Sequence, residues 1–296
     1  MVEIVDYRAN RKGVSFHTLP RDKKVSIRRA FVTHYPYVFI TADYSTMELR
    51  ILCFLAKVEE MYVAFSEGKD LHMHSASLVF GKEDITDEER QIAKMVSFLL
   101  VYGGTAFNLA NTLGIPLHEA EAVMTSYAMS FPEVFTYMEE MGEEIRENQE
   151  AVSYFGRVRH LPDIRSIIQS IRDTAVRQGT NHTVQSTASD VLTGAMIGMS
   201  LKFRGDALRA TCLSTVHDSV EVKCYIGDLK RVLEVMYRHM VHGTYIKKYL
   251  GIEFDVPFKI DVCVGYSFAS DFEVIYREEG TVKNMDELLS YLEENK

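Results

Sequence analysis

The chain has 296 residues, of which 47% are hydrophobic and 25% are charged, a composition that excludes a disordered chain and suggests roughly two domains. No apolar run reaches the roughly 18 residues of a membrane span, and the N-terminus has no apolar core typical of a signal peptide. The net charge of −9 by itself argues against a protein that binds nucleic acid without sequence preference.

The charge is distributed unevenly along the chain. Residues 21–29 and 157–177 carry net charges of +4 and +3, whereas residues 133–150 and 271–296 carry −6 and −5. We expect the two acidic blocks to be solvated helix faces. The two basic blocks are compatible both with an ordinary surface and with contacts to phosphate groups.

Four cysteines stand in or beside apolar stretches: Cys53, Cys212, Cys224 and Cys263. None belongs to a C-x-x-C motif, so their spacing favours neither a zinc site nor a disulfide framework. We therefore expect reduced, buried cysteines and an intracellular protein.

Apolar periodicity and turn residues predict the secondary structure in chain order. The predicted elements are a strand at 36–43, a helix at 46–58, helices between 85 and 150 with breaks at Gly103–Gly104, Gly114–Pro116 and Phe131–Pro132, a helix at 167–203, strands at 211–216 and 219–224, a helix at 227–242 and a strand at 256–264. Thr86 and Glu89 form a capping box at the start of the first helix after residue 85. Strands before and after a helical stretch indicate an α+β fold, in which one antiparallel sheet carries a helical subdomain.

Two aspartates stand at the ends of predicted strands. Asp43 closes the first strand, and Asp218 lies in a tight turn, His217-Asp218-Ser219, between two later strands. An aspartate at these places is most often only a helix cap or a turn residue. However, His beside Asp is a poor turn choice, and two acids without a Cys or His cluster favour Mg²⁺ or Mn²⁺ over zinc.

A second motif places two cations and two aromatic rings on one helix face. Arg90, Lys94, Phe98 and Tyr102 follow one another at intervals of four residues, so their side chains drift by only about 40° per step. Such a stripe suits a ligand with a polyphosphate end and a flat end. A solvated cationic face is the alternative explanation.

A third motif has the same spacing of four residues, with Arg177, Asn181 and Gln185 on a later helix. These three side chains are suited to hydrogen bonding with the edges of a nucleic-acid groove. A polar, exposed helix face explains them equally well.

In this order, the motifs resemble those of the polymerase module of family A DNA polymerases. Three segments carry the resemblance and are similar to motifs A, B and C of that family: DYSTMELR at Asp43–Arg50, the stripe from Arg90 to Gly103, and Val216-His217-Asp218. The connecting stretches at 67–81, 131–138 and 156–166 are similar as well. The resemblance covers roughly residues 14–271.

The resemblance implies a right-hand polymerase fold, with an antiparallel-sheet palm, an inserted helical fingers subdomain and most of the thumb missing. It divides the chain into four ranges: the first part of the palm with motif A at 1–66, the fingers at 67–160, the second part of the palm with motif C at 161–270, and an acidic extension at 271–296.

The resemblance also implies template-directed DNA synthesis from dNTPs by two-metal phosphoryl transfer. Asp43, Asp218 and the backbone carbonyl of Tyr44 would hold two Mg²⁺ ions, with Mn²⁺ as the alternative metal. Lys94 would act as the general acid for the pyrophosphate leaving group.

Further residues gain roles from the same resemblance. Those implied to bind the dNTP are Arg90, Lys94 and His72 at the triphosphate, Phe98 stacked on the incoming nucleotide, Tyr102 near the templating base, and Glu48 as the steric gate against a ribose 2′-hydroxyl. Those implied to contact primer-template DNA are Arg177, Asn181, Gln185 and His217.

Three positions depart from the pattern that is common in the family. Ser219 stands where bacterial members commonly carry Glu, so any role of that outer carboxylate is lost or moved, with Glu221 as a weak candidate. Thr46-Met47 replaces the common Gln-Ile, a change that we expect to be tolerated. Leu99 replaces a common Gly, which we expect to alter the packing of the helix.

Too few residues precede Asp43 for the family's thumb, which comes before the palm. We therefore expect a split polymerase of the kind a phage genome encodes, acting in the host cytoplasm without a membrane. A second polypeptide would supply the thumb and an exonuclease. The extension at 271–296, with Met285, Leu288, Leu289 and Leu292 at helical spacing, is either a docking element or a surface helix packed on its own palm.

Two other functions remain open. The first is a non-catalytic, polymerase-like subunit that binds DNA in a replication complex, and the second is a metal-dependent nuclease. Retention of both aspartates together with Arg90 and Lys94 disfavours the first. The stripe of cations and aromatic rings disfavours the second, because a nuclease has no use for it.

Overall fold

The structure is a computed structural model that describes residues 4–6, 11–13, 27–269 and 272–296. The strands are β1 (Ile4–Asp6), β2 (Arg11–Gly13), β3 (Tyr37–Tyr44), β4 (Glu150–Val152), β5 (Val158–His160), β6 (Ala210–Val216), β7 (Ser219–Tyr225), β8 (Ile260–Gly265) and β9 (Phe272–Val274). The α-helices are α1 (Met47–Ala56), α2 (Glu59–Ser66), α3 (Leu71–Phe80), α4 (Asp87–Val101), α5 (Ala106–Leu113), α6 (Leu117–Ser130), α7 (Pro132–Asn148), α8 (Gln169–Gly205), α9 (Leu229–Met240), α10 (Thr244–Leu250) and α11 (Met285–Glu294). No helix in these ranges is long and apolar enough to cross a membrane.

The elements predicted from periodicity are confirmed, and the α+β prediction is correct. The helical stretch between 85 and 150 forms α4 to α7, which end and begin at the predicted glycine and proline breaks. Thr86 and Glu89 form the predicted capping box at the start of α4. The last predicted strand is shorter than expected, because β8 begins only at Ile260, three residues after Pro257. Periodicity did not predict α2, α3, α10 or the β4–β5 hairpin.

The described residues cluster into two compact units. The first contains the described residues up to Ser45 together with Val191–Glu253 and Phe258–Lys296, and the second contains Thr46–Asp190 and Phe254–Pro257. Helix α8 therefore contributes its first part to the second unit and its last part to the first.

The first unit is built on an antiparallel sheet with the strand order β6-β7-β3-β8-β9. Along the central strand β3, Val38, Ile40, Ala42 and Tyr44 are all buried. Since successive side chains in a strand point to opposite faces, Asp43 lies on the face opposite to this buried row. The Tyr44 hydroxyl donates a hydrogen bond to the Met240 carbonyl at the end of α9, 2.9 Å away, which ties the sheet to a helix on its buried face.

The acidic C-terminal extension packs against its own unit. Strand β9 pairs with β8, and Leu288 and Leu292 of α11 are buried. The Tyr266 hydroxyl donates to the Leu292 carbonyl at 3.0 Å, and the rings of Phe272 and Tyr291 are 5.2 Å apart. Of the two alternatives for this extension, the structure shows the helix packed on its own unit.

The second unit consists mainly of helices, with the β4–β5 hairpin beside α7. The acidic block at 133–150 forms most of α7, whose Val134 and Ile145 are buried. Five of its glutamates are exposed: Glu139, Glu140, Glu143, Glu144 and Glu147. The prediction of a solvated helix face is therefore confirmed for this block.

Arg50, the last residue of DYSTMELR, is an internal anchor of the second unit. Its side chain is buried, and its guanidinium carbon lies 4.2 Å from the centre of the Phe65 ring. The guanidinium also donates a hydrogen bond to the Pro257 carbonyl. The sequence pattern assigns this arginine no role, since a buried cation cannot be recognised from periodicity alone.

Thr46, at the start of α1, has a strained backbone. Its φ of 52° lies in the left-handed region, and its side chain makes no capping hydrogen bond. A β-branched residue is rare there, whereas asparagine tolerates the conformation. We expect Thr46→Asn to raise the free energy of unfolding by about 0.5–1 kcal/mol, measured by denaturant titration. Thr136→Asn, at an exposed position inside α7, is the matched control and should give no gain; an equal gain in both variants would contradict the strain.

Candidate active site

Asp43 and Asp218 lie close together along the backbone of the first unit. Asp43 is in register with Ser219 of β7 on one side and with Asp261 of β8 on the other. Asp218 directly precedes Ser219, and the Tyr44 N–H donates a hydrogen bond to the Asp218 carbonyl at 3.3 Å. The sheet register therefore brings together two acids that are 175 positions apart in the sequence.

The turn that carries Asp218 is strained. Val216 pairs with Ser219, so His217 and Asp218 are the two turn residues of the β6–β7 hairpin. His217 has a φ of 58°, in the left-handed region, where a residue with a side chain costs about 1–2 kcal/mol. Strain of this kind is concentrated at functional sites, which supports the prediction that this turn is more than a connection.

The oxygen donors around Asp43 fit a magnesium ion. Within the described ranges, no group of three or more His, Cys, Asp or Glu side chains is arranged to hold a metal ion, although Asp261 is in register with Asp43. The acids that the backbone brings to Asp43 are Asp218 and Asp261, and together with backbone carbonyls they form a set of hard oxygen donors. Mg²⁺ suits such a set because it keeps several waters and is commonly bound by one or two carboxylates plus substrate phosphates.

Ser219, which stands where the family commonly has an outer carboxylate, has a structural role in this chain. The Ser219 hydroxyl donates to the Val216 carbonyl at 2.9 Å and closes the hairpin. Glu221, the weak candidate to replace that carboxylate, is buried and accepts a hydrogen bond from the Thr41 hydroxyl at 2.5 Å. Glu221 is in register with Thr41, two register positions away from the pair of Asp43 and Ser219, and therefore lies further from the strand end than the two aspartates.

The stripe on α4 is accessible to solvent, while the opposite side of the helix is buried. Arg90, Lys94 and Phe98 are half-buried and Tyr102 is exposed. The buried side consists of Ala93, Val96, Ser97, Leu100 and Val101. The prediction that the two cations and two rings share one accessible face is therefore confirmed.

His72, on α3, lies beside this stripe. The centre of its ring is 6.1 Å from that of Phe98, and the Lys94 ammonium nitrogen is 6.0 Å from the Phe98 ring centre. Burial is the main cause that lowers the pKa of His72 to about 4; Lys94 and Arg90 lower it further, against the opposing effect of Asp70. The imidazole is therefore neutral at pH 7, with one ring nitrogen as an N–H donor and the other as an acceptor.

Tyr102 and Glu48 are in direct contact. The Tyr102 hydroxyl lies 3.1 and 3.0 Å from the two carboxylate oxygens of Glu48 and donates to them. The two residues are 54 positions apart, and both belong to the second unit. The gate residue implied for motif A is therefore linked to the last aromatic ring of the stripe.

The third motif, formed by Arg177, Asn181 and Gln185 on α8, lies beside the end of the same stripe. Arg177 and Gln185 are exposed and Asn181 is half-buried, so the three side chains are accessible along one face. A Cβ on Gly103 would lie 2.9 Å from the Arg177 side chain, which therefore packs directly beside the residue after Tyr102. The side-chain oxygen of Asn181 is buried and has no hydrogen-bond partner among the described residues.

Leu99 occupies space that the common glycine of motif B would leave open. A Cβ on Gly104 would lie 2.7 Å from Cδ2 of Leu99, so Gly104 leaves the room that this larger side chain needs. The expected change in helix packing is thus local, and it couples Leu99 to Gly104.

We expect Gly104→Ala to lower the free energy of unfolding by about 1–3 kcal/mol, because the added methyl group overlaps Leu99. In the double variant with Leu99→Ala, part of this loss should be recovered, which a double-mutant cycle of denaturant titrations measures. Gly205→Ala, which meets no atom within 4 Å, is the control. Additive effects of the two substitutions would contradict the coupling.

The predicted site residues are divided between the two units. Asp43, Tyr44, His217 and Asp218 belong to the first unit, and the residues implied to bind the dNTP, together with Arg177, Asn181 and Gln185, belong to the second. Of the basic block at 21–29, Arg28 is buried and Arg29 is exposed, while residues 21–26 lie outside the described part of the chain. Most of the second basic block is exposed, including Arg157, Arg159, Arg165 and Arg177.

Comparisons with known proteins agree with the motifs. The family model of DNA polymerase family A matches residues 13–270. "DNA polymerase I, thermostable" from Thermus filiformis is 34% identical over 241 residues, which are 81% of this chain and 28% of the relative. DNA polymerase I from Streptococcus pneumoniae serotype 4 is 36% identical over 218 residues, which are 72% of this chain and 25% of the relative.

A solved structure is similar over most of the chain. It is the POL domain of Pol1 from M. smegmatis in complex with DNA primer-template and dNTP, with 29% sequence identity and a TM-score of 0.78. The similarity covers 88% of this chain and 46% of that one. The chain therefore spans about a quarter of the length of the curated relatives and less than half of the solved chain.

Proposed function

This chain belongs to DNA polymerase family A, and on that premise we propose that it adds dNMP from a dNTP to the 3′-hydroxyl of a primer on a DNA template. The observation that carries the proposal is that the backbone brings Asp43 and Asp218 together at one end of the central strand β3, in a chain whose α4 stripe presents two cations and an aromatic ring. The two aspartates suit phosphoryl transfer, and the stripe on α4 suits a nucleoside triphosphate.

In the proposed reaction, Asp43, Asp218 and the carbonyl of Tyr44 are the residues that would hold two Mg²⁺ ions. When bound, the ions would supply Lewis acidity at the primer hydroxyl and charge neutralisation at the triphosphate. Strand β3 supports this role, since its buried face fixes the backbone on which Asp43 stands.

The triphosphate would be bound by Arg90, Lys94 and the neutral His72. Lys94 would hold a proton at Nζ and give it to the departing pyrophosphate as a general acid. Phe98, whose ring lies among these groups, would stack on the incoming nucleotide. Glu48, held by Tyr102, would close the space that a ribose 2′-hydroxyl needs.

Primer-template DNA would be bound mainly through its phosphates. The exposed arginines of residues 157–177 supply positive charge in the second unit, against a net charge of −9 for the chain. Arg177, Asn181 and Gln185 would follow the groove, and His217 would approach the primer terminus.

We further propose that the residues that wrap the duplex come from a second polypeptide, which would carry a thumb and an exonuclease. Such division fits a phage-encoded enzyme that works in the host cytoplasm. Co-purification of the chain from its source, followed by identification of the bound polypeptide, tests this point; recovery of the chain alone, active and fully processive, would contradict it.

Primer extension tests the central proposal. The chain is incubated with a primer-template, the four dNTPs and Mg²⁺, with and without its co-purifying polypeptide. We expect template-directed extension that EDTA abolishes. If primer-template binds but no condition gives extension, the proposed activity is wrong and the non-catalytic DNA-binding function takes its place.

A further inference from the structure

One carboxylate joins two helices of the dNTP-binding part of the second unit. Asp70 is the N-cap of α3, and its Oδ1 accepts hydrogen bonds from the backbone N–H groups of His72 at 2.8 Å and Met73 at 3.1 Å. The first turn of α3, including the backbone of His72, is therefore fixed by this side chain.

The other oxygen of the same carboxylate binds Arg90 on α4. Oδ2 accepts from Nε at 3.1 Å and from Nη2 at 2.6 Å, so the guanidinium is held along one edge. The remaining nitrogen, Nη1, makes no hydrogen bond within the described ranges and can donate to another group. A guanidinium that is fixed on one edge is preorganised to bind an oxyanion with the other.

We infer that Asp70 is a positioning residue for the triphosphate, because it sets the backbone of His72 with one oxygen and the guanidinium of Arg90 with the other. This inference rests on the proposed function of the site. Asp70 itself carries a negative charge and would not contact the phosphates. Its effect on nucleotide binding runs through Arg90 and His72.

The electrostatics of the pair agree with this role. Burial alone would raise the pKa of Asp70, but the hydrogen bonds from Arg90 and from the N–H groups of Met73 and His72, together with the charge of Arg90, lower it. Asp70 is thus an anion at neutral pH, and the ion pair persists. Without this ion pair, the Arg90 side chain would gain rotamer freedom. A bound ligand would have to remove that freedom again, and the entropy cost would weaken binding.

The test separates the two uses of the carboxylate. Asp70→Asn keeps the cap, since asparagine caps helices as well as aspartate, but it removes the ion pair with Arg90. We expect the dNTP KM to rise about tenfold with kcat changed less than threefold, and the Kd for dNTP, measured by calorimetry with Ca²⁺ in place of Mg²⁺, to rise by the same factor. Asp70→Ala, which also removes the cap, should show a larger rise and a lower Tm.

A double-mutant cycle decides whether Asp70 acts through Arg90. In an Arg90→Gln background, Asp70→Asn should change the dNTP Kd less than twofold, whereas a purely structural role would give the same factor in both backgrounds. Glu60→Gln is the matched control and should leave the Kd unchanged. It alters an exposed carboxylate on α2 that pairs with His74 of α3.

The outcomes separate the inference from the proposed function. If the unaltered chain binds no dNTP, the proposed function itself fails. If it binds dNTP and Asp70→Asn leaves the Kd unchanged or lowers it, the function stands and the positioning role of Asp70 is wrong.

Discussion

Replacement of Asp218 by alanine is expected to reduce primer extension by about a thousandfold or more, while the affinity for primer-template DNA stays within about twofold. The reason lies in the turn that carries the residue. The β6–β7 hairpin and the hydrogen bond from the Tyr44 N–H to the Asp218 carbonyl place the backbone of Asp218 beside the strand end that carries Asp43. Loss of either acid would remove one of the carboxylates that would hold the metal ions, whereas DNA affinity would depend on phosphate contacts elsewhere.

The measurement combines single-turnover primer extension with a DNA-binding titration by fluorescence anisotropy. Asp218→Asn removes the negative charge but keeps the shape of the side chain, and we expect it to be nearly as inactive as the alanine variant. Asp286→Asn, an exposed acid on α11 of the same unit, is the matched control and should keep full activity. Extension by Asp218→Ala at the rate of the unaltered chain would show that this aspartate is not a metal ligand.

Replacement of Glu48 by alanine is expected to admit ribonucleotides, lowering the preference for dNTP over NTP by about a hundredfold. The carboxylate of Glu48 is held in one position by the Tyr102 hydroxyl, at 3.1 and 3.0 Å. If Glu48 is the proposed gate, removal of its side chain would open the volume that a 2′-hydroxyl needs. The ratio of kcat/KM for a dNTP and the matching NTP measures the effect.

Tyr102→Phe tests the hydrogen bond between the Tyr102 hydroxyl and the Glu48 carboxylate. It keeps the aromatic ring but removes the hydroxyl that orients Glu48, so we expect a smaller loss of sugar discrimination, about threefold to tenfold, with the same sign. Glu119→Ala, in the first turn of α6, is the control for loss of an exposed acid in the same unit. Unchanged sugar selectivity in Glu48→Ala would refute the gate.

Local periodicity was sufficient to predict much of the candidate site. The interval of four residues places Arg90, Lys94, Phe98 and Tyr102 on one face of any regular helix, whatever packs around it. The apolar segment 36–43 predicts a strand, whereas the face on which Asp43 stands follows from the burial of Ala42 and Tyr44 in the structure. The resemblance to a family rested on such segments, and the family match confirms it.

Contacts between distant segments could not be predicted in the same way. The bond between Thr41 and Glu221, across 180 positions, depends on the register of β3 and β7. Asp70 and Arg90 are separated by α3 and by the loop between α3 and α4, whose course periodicity does not specify. Both contacts involve polar residues whose sequence neighbourhood is equally compatible with an exposed position.

The sequence by itself determined the order of the motifs, the α+β fold class and the faces of single helices and strands, because these follow from chain geometry and the separation of apolar from polar residues. Only the tertiary structure decided that Glu221 bonds to Thr41 at a distance from the strand end, that Arg50 is buried, that Leu99 fills space beside Gly104 and that the acidic extension packs on its own unit. Each depends on how separate elements or turns approach one another, and that approach is set by packing and register, which no local pattern encodes.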